Sequence, residues 1–155
     1  MYDIRKAASA TKIETIRQLF REYEAWLGLD LCFQGFEEEL RDLPGKYDEP
    51  EGRLLLAYVD HDAIGCIAMR PLEKGVCEMK RLYLREGARG VGLGNALIER
   101  LIGEARTVGY KRMRLDTLPG KMGKAVKLYA SHGFDRIEPY YENPHDDVLF
   151  MELAL

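Results

Sequence analysis

The chain has 155 residues, of which 46% are hydrophobic and 32% are charged, a balance typical of one compact globular domain. Its formal net charge of −3 gives no overall attraction to nucleic acid or to an anionic membrane, so neither is expected as a partner. The N-terminus lacks an apolar signal segment, and no run of about 18 apolar residues occurs. These features predict a single cytoplasmic domain over residues 1–155.

The three cysteines, Cys32, Cys66 and Cys77, are odd in number and widely spaced, and two of them lie in strand-like segments. Buried free thiols are therefore expected. The sequence has no Cys-x-x-Cys pair and no histidine-rich cluster, so no metal site is predicted.

Apolar periodicity predicts the elements in chain order. A strand at 2–6 precedes a helix that Thr11 opens, with Glu14 completing a capping box, and 36–43 could form a short second helix. Later helices end at Gly109 and near His132. Six more segments have strand patterns: 53–59, 63–69, 77–84, 112–116, 134–140 and 148–153.

The resulting order, β-α-α-β-β-β-α-β-α-β-β, predicts an α/β (α+β) fold. We expect a single mixed, mostly antiparallel central sheet of about six to seven strands flanked by helices.

A glycine loop, Arg-Gly-Val-Gly-Leu-Gly at 89–94, lies between a predicted strand and a predicted helix. Backbone N–H groups converge at a helix start and favour a phosphate, and glycine lets the anion reach them. The loop is neither a Walker motif nor a dinucleotide fingerprint, because the third glycine of the latter would fall on Asn95 or Leu97. Its pattern is Arg-x-x-Gly-x-Gly, formed by Arg89, Gly92 and Gly94.

That pattern resembles the acetyl-CoA pyrophosphate loop of the GNAT superfamily of N-acetyltransferases. The preceding string, Glu78-Met-Lys-Arg-Leu-Tyr-Leu84, is similar to the central cofactor strand of that family. Downstream, residues 125–134 match its Ala-x-x-Leu-Tyr-x-x-x-Gly-Phe motif. The resemblance covers residues 77–135 and implies a GNAT-like acyl-CoA N-acyltransferase fold with acetyl-CoA as donor and no metal.

The same resemblance implies a set of cofactor-binding residues. The backbone at 82–84 would bind the pantetheine arm as if the cofactor were an added strand. Many family members have a cofactor-binding asparagine where this chain has Met122, so Thr117, Lys121 or Lys124 are candidates to replace it. The implied contacts are Leu82, Tyr83, Leu84, Arg89, Gly90, Val91, Gly92, Leu93, Gly94, Asn95, Thr117 and Tyr129.

Two catalytic residues are implied. Tyr129 would be the general acid that protonates the departing CoA thiolate, although its helical spacing with Met122 and Val126 also fits a core tyrosine. Glu78 would be the general base, at the same distance before Arg89 as the base glutamate of the histone-acetylating branch. An ion pair of Glu78 with Lys80 or Arg112, with water deprotonating the amine instead, is the alternative.

The predicted function is transfer of the acetyl group of acetyl-CoA to a primary amine of an unidentified small molecule or peptide, by direct attack in a ternary complex. The alternative is a non-catalytic acyl-CoA-binding regulatory module. A Cys77 nucleophile is disfavoured because no histidine is placed to activate it. A homodimer, the commonest closed assembly, is left open. Aromatic side chains available around the acceptor are Tyr23, Trp26, Phe33, Phe36, Tyr140 and Tyr141.

Overall fold

A computed structural model describes residues 2–28, 31, 35–88, 92–145 and 147–155. Four helices accompany a seven-stranded sheet: α1 Ala10–Leu27, α2 Phe36–Asp42, α3 Leu93–Val108 and α4 Pro119–Ser131. Short 3-10 turns occur at Gly45–Tyr47 and Glu86–Ala88. The strands are β1 Tyr2–Lys6, β2 Arg53–Val59, β3 Asp62–Glu73, β4 Val76–Leu84, β5 Arg112–Thr117, β6 Asp135–Ile137 and β7 Leu149–Ala154.

The sheet has the strand order β1-β2-β3-β4-β5-β7-β6. Neighbouring strands are antiparallel except β4 and β5, which are parallel. The predicted fold class and the predicted order of elements are confirmed. Among the described residues, no helix combines the length and the apolar character needed to cross a membrane.

Three predicted boundaries are wrong. Helix α1 begins at Ala10 with Ser9 as its N-cap, because the Ser9 hydroxyl accepts a hydrogen bond of 3.2 Å from the Lys12 amide, so Thr11 lies inside the helix. Strand β3 continues through Pro71 to Glu73, where irregular pairing with β4 tolerates the missing proline N–H. Strand β6 covers Asp135–Ile137, whereas the predicted strand covered 134–140.

Each face of the sheet carries its own apolar core. Helices α3 and α4 cover one face, and the predicted stripe of α3 is buried there: Leu97, Ile98, Leu101, Ile102 and Ala105. Helices α1 and α2 cover the other face with side chains that include Ile16, Leu19, Phe20, Phe36 and Leu40. Strand residues alternate between the two cores, as the two-residue period of a strand requires.

Strands β4 and β5 diverge from each other. Within the described chain, their pairing is limited to Val76–Glu78 against Arg112–Arg114, whereas β4 pairs with β3 from end to end. A β-bulge interrupts the β3–β4 pairing, where the single residue Ile67 faces both Arg81 and Leu82. Arg81 has φ 62°, and a bulge of this kind bends its strand. The bend carries the second half of β4 away from β5 and leaves a cleft between the two strands.

Candidate active site

The cleft between β4 and β5 is lined by side chains from both faces of the sheet. Met79, Leu82 and Tyr129 belong to the core beneath α3 and α4, and Met122 belongs to the core beneath α1 and α2. Lys80, Asp116 and Thr117 add polar groups to its wall. A ligand in this cleft would therefore contact both apolar side chains and charged groups.

The predicted pantetheine segment runs along the diverging half of β4. Leu82 is buried and lines the cleft. The side chain of Tyr83 points to the α1–α2 face of the sheet. The centroid of its ring lies 6.3 Å from that of Tyr23 and 6.1 Å from that of Trp26. Leu84 packs against the α3–α4 core. Any contact of Tyr83 with a ligand in the cleft would therefore use its backbone.

The described part of the glycine loop forms the start of α3. Gly92 is the N-cap, with φ 80°, a left-handed conformation that favours glycine. The side chain of Leu93 is buried. At Gly94, an added Cβ would lie 3.3 Å from Leu128 Cδ1 and 3.6 Å from Leu84 Cδ1, so the missing side chain lets α3 approach both α4 and β4. The other predicted loop residues, Arg89, Gly90 and Val91, lie outside the described residues.

Asn95 links the start of α3 to the end of α4. Its Oδ1 atom lies 2.7 Å from Nε2 of His132. The Asn95 side chain is exposed, so the predicted contact of this residue with a cofactor would lie at the rim of the site.

Tyr129 lines the cleft from α4 and is only 3% exposed. Its ring packs 5.8 Å from that of Phe134. Burial raises the pKa of Tyr129, and the nearby Tyr23 and Asp116 raise it further. The raised pKa keeps this phenol protonated at neutral pH, so it can donate to a thiolate that forms beside it, but it also makes the phenol a weaker acid. The sequence left open whether Tyr129 is a core residue or a catalytic one. In the structure its side chain packs in the core and also lines the cleft.

Of the residues predicted to replace the family asparagine, Thr117 lines the cleft, whereas Lys121 and Lys124 do not. The Thr117 hydroxyl is buried and approaches Met122 Sδ at 3.7 Å. Met122 has φ −118° and ψ 37°, so the first turn of α4 is kinked at this residue. Lys121 is exposed, and its ammonium lies 5.4 Å above the Trp26 ring. Thr117 is thus the candidate whose polar group reaches the cleft wall.

Glu78 is almost fully buried, with 2% exposure, and both of its oxygens accept hydrogen bonds. Arg70 Nε donates to Oε1 at 2.9 Å, and the Tyr140 hydroxyl donates to Oε2 at 2.7 Å. The ion pair of Glu78 thus forms with Arg70, which was not among the predicted partners, and the charge of Glu78 also acts on Lys80. A register in which Arg70 on β3 faces Glu78 on β4 places the two side chains together.

Asp116 is a second carboxylate on the same face, and sequence reasoning missed it. Its Oδ2 atom accepts a hydrogen bond of 2.6 Å from the Tyr141 hydroxyl, and its Oδ1 atom lies 3.8 Å from Lys80 Nζ. Burial lowers the pKa of Lys80. Unlike Glu78, Asp116 lines the same cleft as Tyr129. The only sequence signal was a charged residue within a strand pattern beside the Tyr129 motif.

The segment between β6 and β7 covers these carboxylates. Tyr140 and Tyr141 are adjacent in sequence, and their hydroxyls donate hydrogen bonds to Glu78 and Asp116, respectively. Both rings pack against Phe150 at 5.2 Å in edge-to-face geometry, which fixes them over the sheet. Asn143 Nδ2 donates to the Tyr141 hydroxyl at 2.8 Å and extends the network.

The remaining predicted acceptor aromatics divide between core and cleft. Tyr23 lines the cleft, Phe36 is buried in the α1–α2 core, and Trp26 packs against Tyr83. Phe33 lies outside the described residues. Glu39 accepts two hydrogen bonds from Arg81 at 2.9 and 3.0 Å, because α2 packs directly over the bulge of β4.

The two described cysteines are free and buried, as expected. Burial raises the pKa of the Cys77 thiol to about 12, so the thiolate that a nucleophile requires is suppressed. Cys32 lies outside the described residues. Across the described chain, no group of three or more His, Cys, Asp or Glu side chains could hold a metal ion.

Comparison with known proteins agrees with this geometry. The family model for the acetyltransferase (GNAT) family matches residues 13–134. An uncharacterized N-acetyltransferase of Schizosaccharomyces pombe is 41% identical over 145 residues, which cover 92% of this chain and 88% of that protein.

Two solved structures illustrate the shared fold. A GNAT-family acetyltransferase from Staphylococcus aureus superposes with a TM-score of 0.81 at 19% identity, covering 99% of both chains. A candidate acetyltransferase from Salmonella typhimurium, determined with its cofactor acetyl-CoA, gives a TM-score of 0.68 at 22% identity, covering 99% of this chain and 93% of that one.

The family match and the curated relative identify the protein as an enzyme of the N-acetyltransferase class. Within that class, the chain belongs to the GNAT acetyltransferase family.

Proposed function

We propose that the protein transfers the acetyl group of acetyl-CoA to a primary amine of a small molecule or peptide, by direct attack in a ternary complex. The observation that carries this proposal is the cleft between β4 and β5, which is lined by both Tyr129 and Asp116. The acetyl-CoA bound to the Salmonella typhimurium protein supports the choice of donor.

The donor would lie along the diverging half of β4. The start of α3, from Gly92 to Asn95, offers backbone N–H groups and the positive end of the helix dipole to the pyrophosphate. Arg89, Gly90 and Val91 complete the proposed loop. The pantetheine arm would follow the backbone of Leu82–Leu84, which would also polarise the thioester carbonyl, and Thr117 would contact the cofactor from β5.

The acyl transfer needs two proton movements. The amine nitrogen attacks the thioester carbon, the C–S bond breaks, and the CoA sulfur takes the proton of the Tyr129 hydroxyl. The attacking nitrogen gives up its own proton to a carboxylate on the acceptor side. Most of the rate acceleration would come from holding the amine close to the thioester carbon.

Two carboxylates compete for the role of base. Glu78, the residue predicted from the sequence, has both oxygens occupied by Arg70 and Tyr140. Asp116 lines the cleft itself and keeps Oδ1 at 3.8 Å from Lys80 Nζ. We therefore propose Asp116 as the carboxylate that receives the proton and Glu78 as the group that positions Tyr140 and Arg70 beside it.

Replacing Tyr129 with phenylalanine tests the proton donor. We expect Tyr129→Phe to bind acetyl-CoA with unchanged affinity in calorimetry and to lower kcat by about 10²- to 10⁴-fold. Tyr110→Phe is a matched control, because the Tyr110 hydroxyl donates to the Glu51 carbonyl at 2.8 Å, away from the cleft. A Tyr129→Phe enzyme with full turnover would remove this residue from the mechanism.

Paired substitutions separate the two carboxylates. Asp116→Asn should lower kcat by about 10²-fold or more, whereas Glu78→Gln should lower it much less. The reverse result would restore Glu78 as the base.

A further inference from the structure

Tyr47 contains a buried hydroxyl that has no hydrogen-bond partner among the described residues. The residue is 3% exposed and packs edge-to-face against Phe20 at 6.0 Å. Burial raises the pKa of this hydroxyl, and Arg81, Glu39 and Arg70 are the charged groups that influence it. Both oxygens of Glu39 accept from Arg81, and the Glu39 carboxylate lies close enough to the Tyr47 hydroxyl to raise its pKa. A buried hydroxyl without a partner is costly, so an oxygen or nitrogen of a ligand would stabilise it.

Arg70 has only part of its guanidinium group engaged. Its Nε donates to Glu78, and within the described residues its two terminal nitrogens make no hydrogen bond. The side chain is 23% exposed, so the outer edge of the guanidinium is accessible. That edge presents parallel N–H groups, the geometry that matches a planar carboxylate.

Arg70 connects two cavities that flank it. One is lined by Tyr47, Lys46, Glu39 and residues of α2, and the other by Glu78, Lys80, Tyr140 and Tyr141. The second cavity shares Lys80 with the cleft that contains Tyr129. The three cavities therefore neighbour one another: Lys80 lies between the cleft and the cavity of Glu78, and Arg70 lies between that cavity and the cavity of Tyr47.

The outer edge of Arg70 is the part of the Tyr47 cavity that fits a single negative group. Arg70 is paired with Glu78 through Nε alone, and Glu39 is paired with Arg81 through both of its oxygens. Lys46, Glu38 and Asp42 also line this cavity, but all three are exposed and their charges are screened by water. These acids disfavour a doubly charged phosphate, whereas one carboxylate matches one guanidinium edge.

We propose that the acceptor is an amine that also carries a carboxylate, and that Arg70 and the Tyr47 hydroxyl bind this carboxylate. This inference rests on the proposed function, because it assumes that the amine lies at the cleft. Arg70 on β3 and Asp116 on β5 lie on opposite sides of β4, so about two strand spacings, ~9.6 Å, separate their backbones. That span exceeds the separation of the amine and carboxylate in an α-amino acid. The acceptor class is therefore an ω-amino acid or a peptide with its amine and carboxylate several bonds apart.

A series of acceptors of increasing chain length tests this class. Glycine, β-alanine, γ-aminobutyrate, δ-aminovalerate and ε-aminocaproate are each compared with the amide of the same chain length, with acetyl-CoA as donor and thiol release as the signal. We expect kcat/KM to rise with chain length for the acids. For the longer members, each acid should exceed its own amide by about tenfold or more. Equal rates for acids and amides at every length would overturn the inference.

Two variants assign the effect to the named residues. Tyr47→Phe removes only the hydroxyl that lacks a partner, so Tm should not fall. The variant should raise KM for the preferred acid several-fold and leave the matching amide unchanged. Arg70→Gln should remove most of the preference for the acid over the amide. If Arg70→Gln lowers both acceptors by the same factor while Tyr47→Phe changes neither, the carboxylate is not bound here and the inference fails.

The outcomes distinguish this inference from the proposed function. If acetyl-CoA binds but no amine of either series releases thiol above the background rate, the proposed function fails and this inference fails with it. If amines are acetylated without any preference for a carboxylate, the proposed function stands and this inference alone is overturned.

Discussion

The two halves of strand β4 are held in different ways. Val76–Glu78 has backbone pairing on both edges, to β3 and to β5. After Glu78 the strand diverges from β5, and helices α1 and α2 anchor it through side chains. Arg81 in the bulge binds Glu39 of α2, and Arg85, just after the strand, binds Glu22 of α1 at 2.7 Å. Within the described residues, β4 therefore has no pairing with β5 after Glu78 and is held instead by ion pairs with helices α1 and α2.

This difference explains how a sheet can open without coming apart. A strand edge that turns away from its neighbour is a site for an added strand or a strand-like ligand. The ion pairs join β4 to the helices of the α1–α2 face, and the Arg81 side chain also lines the cleft. We infer that cofactor binding depends on the diverging half and that its anchors contribute mainly to stability.

The largest expected effect concerns the loop that follows the diverging half. Gly92→Glu places a negative charge and a side chain at the proposed pyrophosphate site, at a φ of 80° that side chains rarely adopt. We expect acetyl-CoA affinity in calorimetry to fall by at least about 100-fold. Gly103→Glu is the matched control, because Gly103 is exposed on the same helix and a side chain there would meet nothing within 4 Å. Unchanged affinity for Gly92→Glu would refute the loop assignment.

A smaller effect should follow from breaking the anchor at the bulge. Arg81→Met leaves the carboxylate of Glu39 without its guanidinium partner in a site where both side chains are nearly buried. We expect a loss of about 3 kcal/mol in the free energy of unfolding, measured in urea. Arg114→Met removes a more exposed arginine, paired with Glu73 and Glu152, and should cost about 1 kcal/mol or less. Equal losses would show that the bulge anchor has no special role.

The smallest effect should come from the anchor after the strand. The hydrogen bond from Arg85 holds the pKa of Glu22 below its ordinary value of 4.5. Its contribution to stability is therefore present above that value and is lost as the pH falls through the lower pKa of the folded state. Because the pair is one-third exposed, we expect less than about 1 kcal/mol. Glu22→Gln should remove the contribution of this pair to the change in unfolding free energy between about pH 7 and about pH 3.5, measured in urea. An unaltered change in unfolding free energy would contradict the assignment.

Local patterns in the sequence were sufficient for the order of elements and for the glycine-rich start of α3. The burial of Leu97 and Leu101 follows from helical spacing, and the strand at Arg53–Val59 has the predicted bounds. The cap of α1 was misassigned because Ser9 and Thr11 are both capping residues, and the choice depends on which hydroxyl reaches a backbone amide.

The acceptor side of the site could not be predicted in this way. Tyr140 lies 62 residues from Glu78, and Tyr141 lies 25 residues from Asp116, so each contact depends on the register of β5 against β7. Arg70 likewise contacts Glu78 only because β3 and β4 pair across a hairpin. No periodicity in a single segment records these distant pairings.

Backbone hydrogen exchange tests the central claim, that the diverging half of β4 binds the acyl-CoA arm. Exchange at the amides of Leu82, Tyr83 and Leu84 is compared with and without saturating acetyl-CoA, with the amides of Val76–Glu78 as the internal reference. We expect acetyl-CoA to slow exchange in the diverging half and to change it little in the paired half. Tight binding of acetyl-CoA with unchanged exchange at Leu82–Leu84 would contradict this claim.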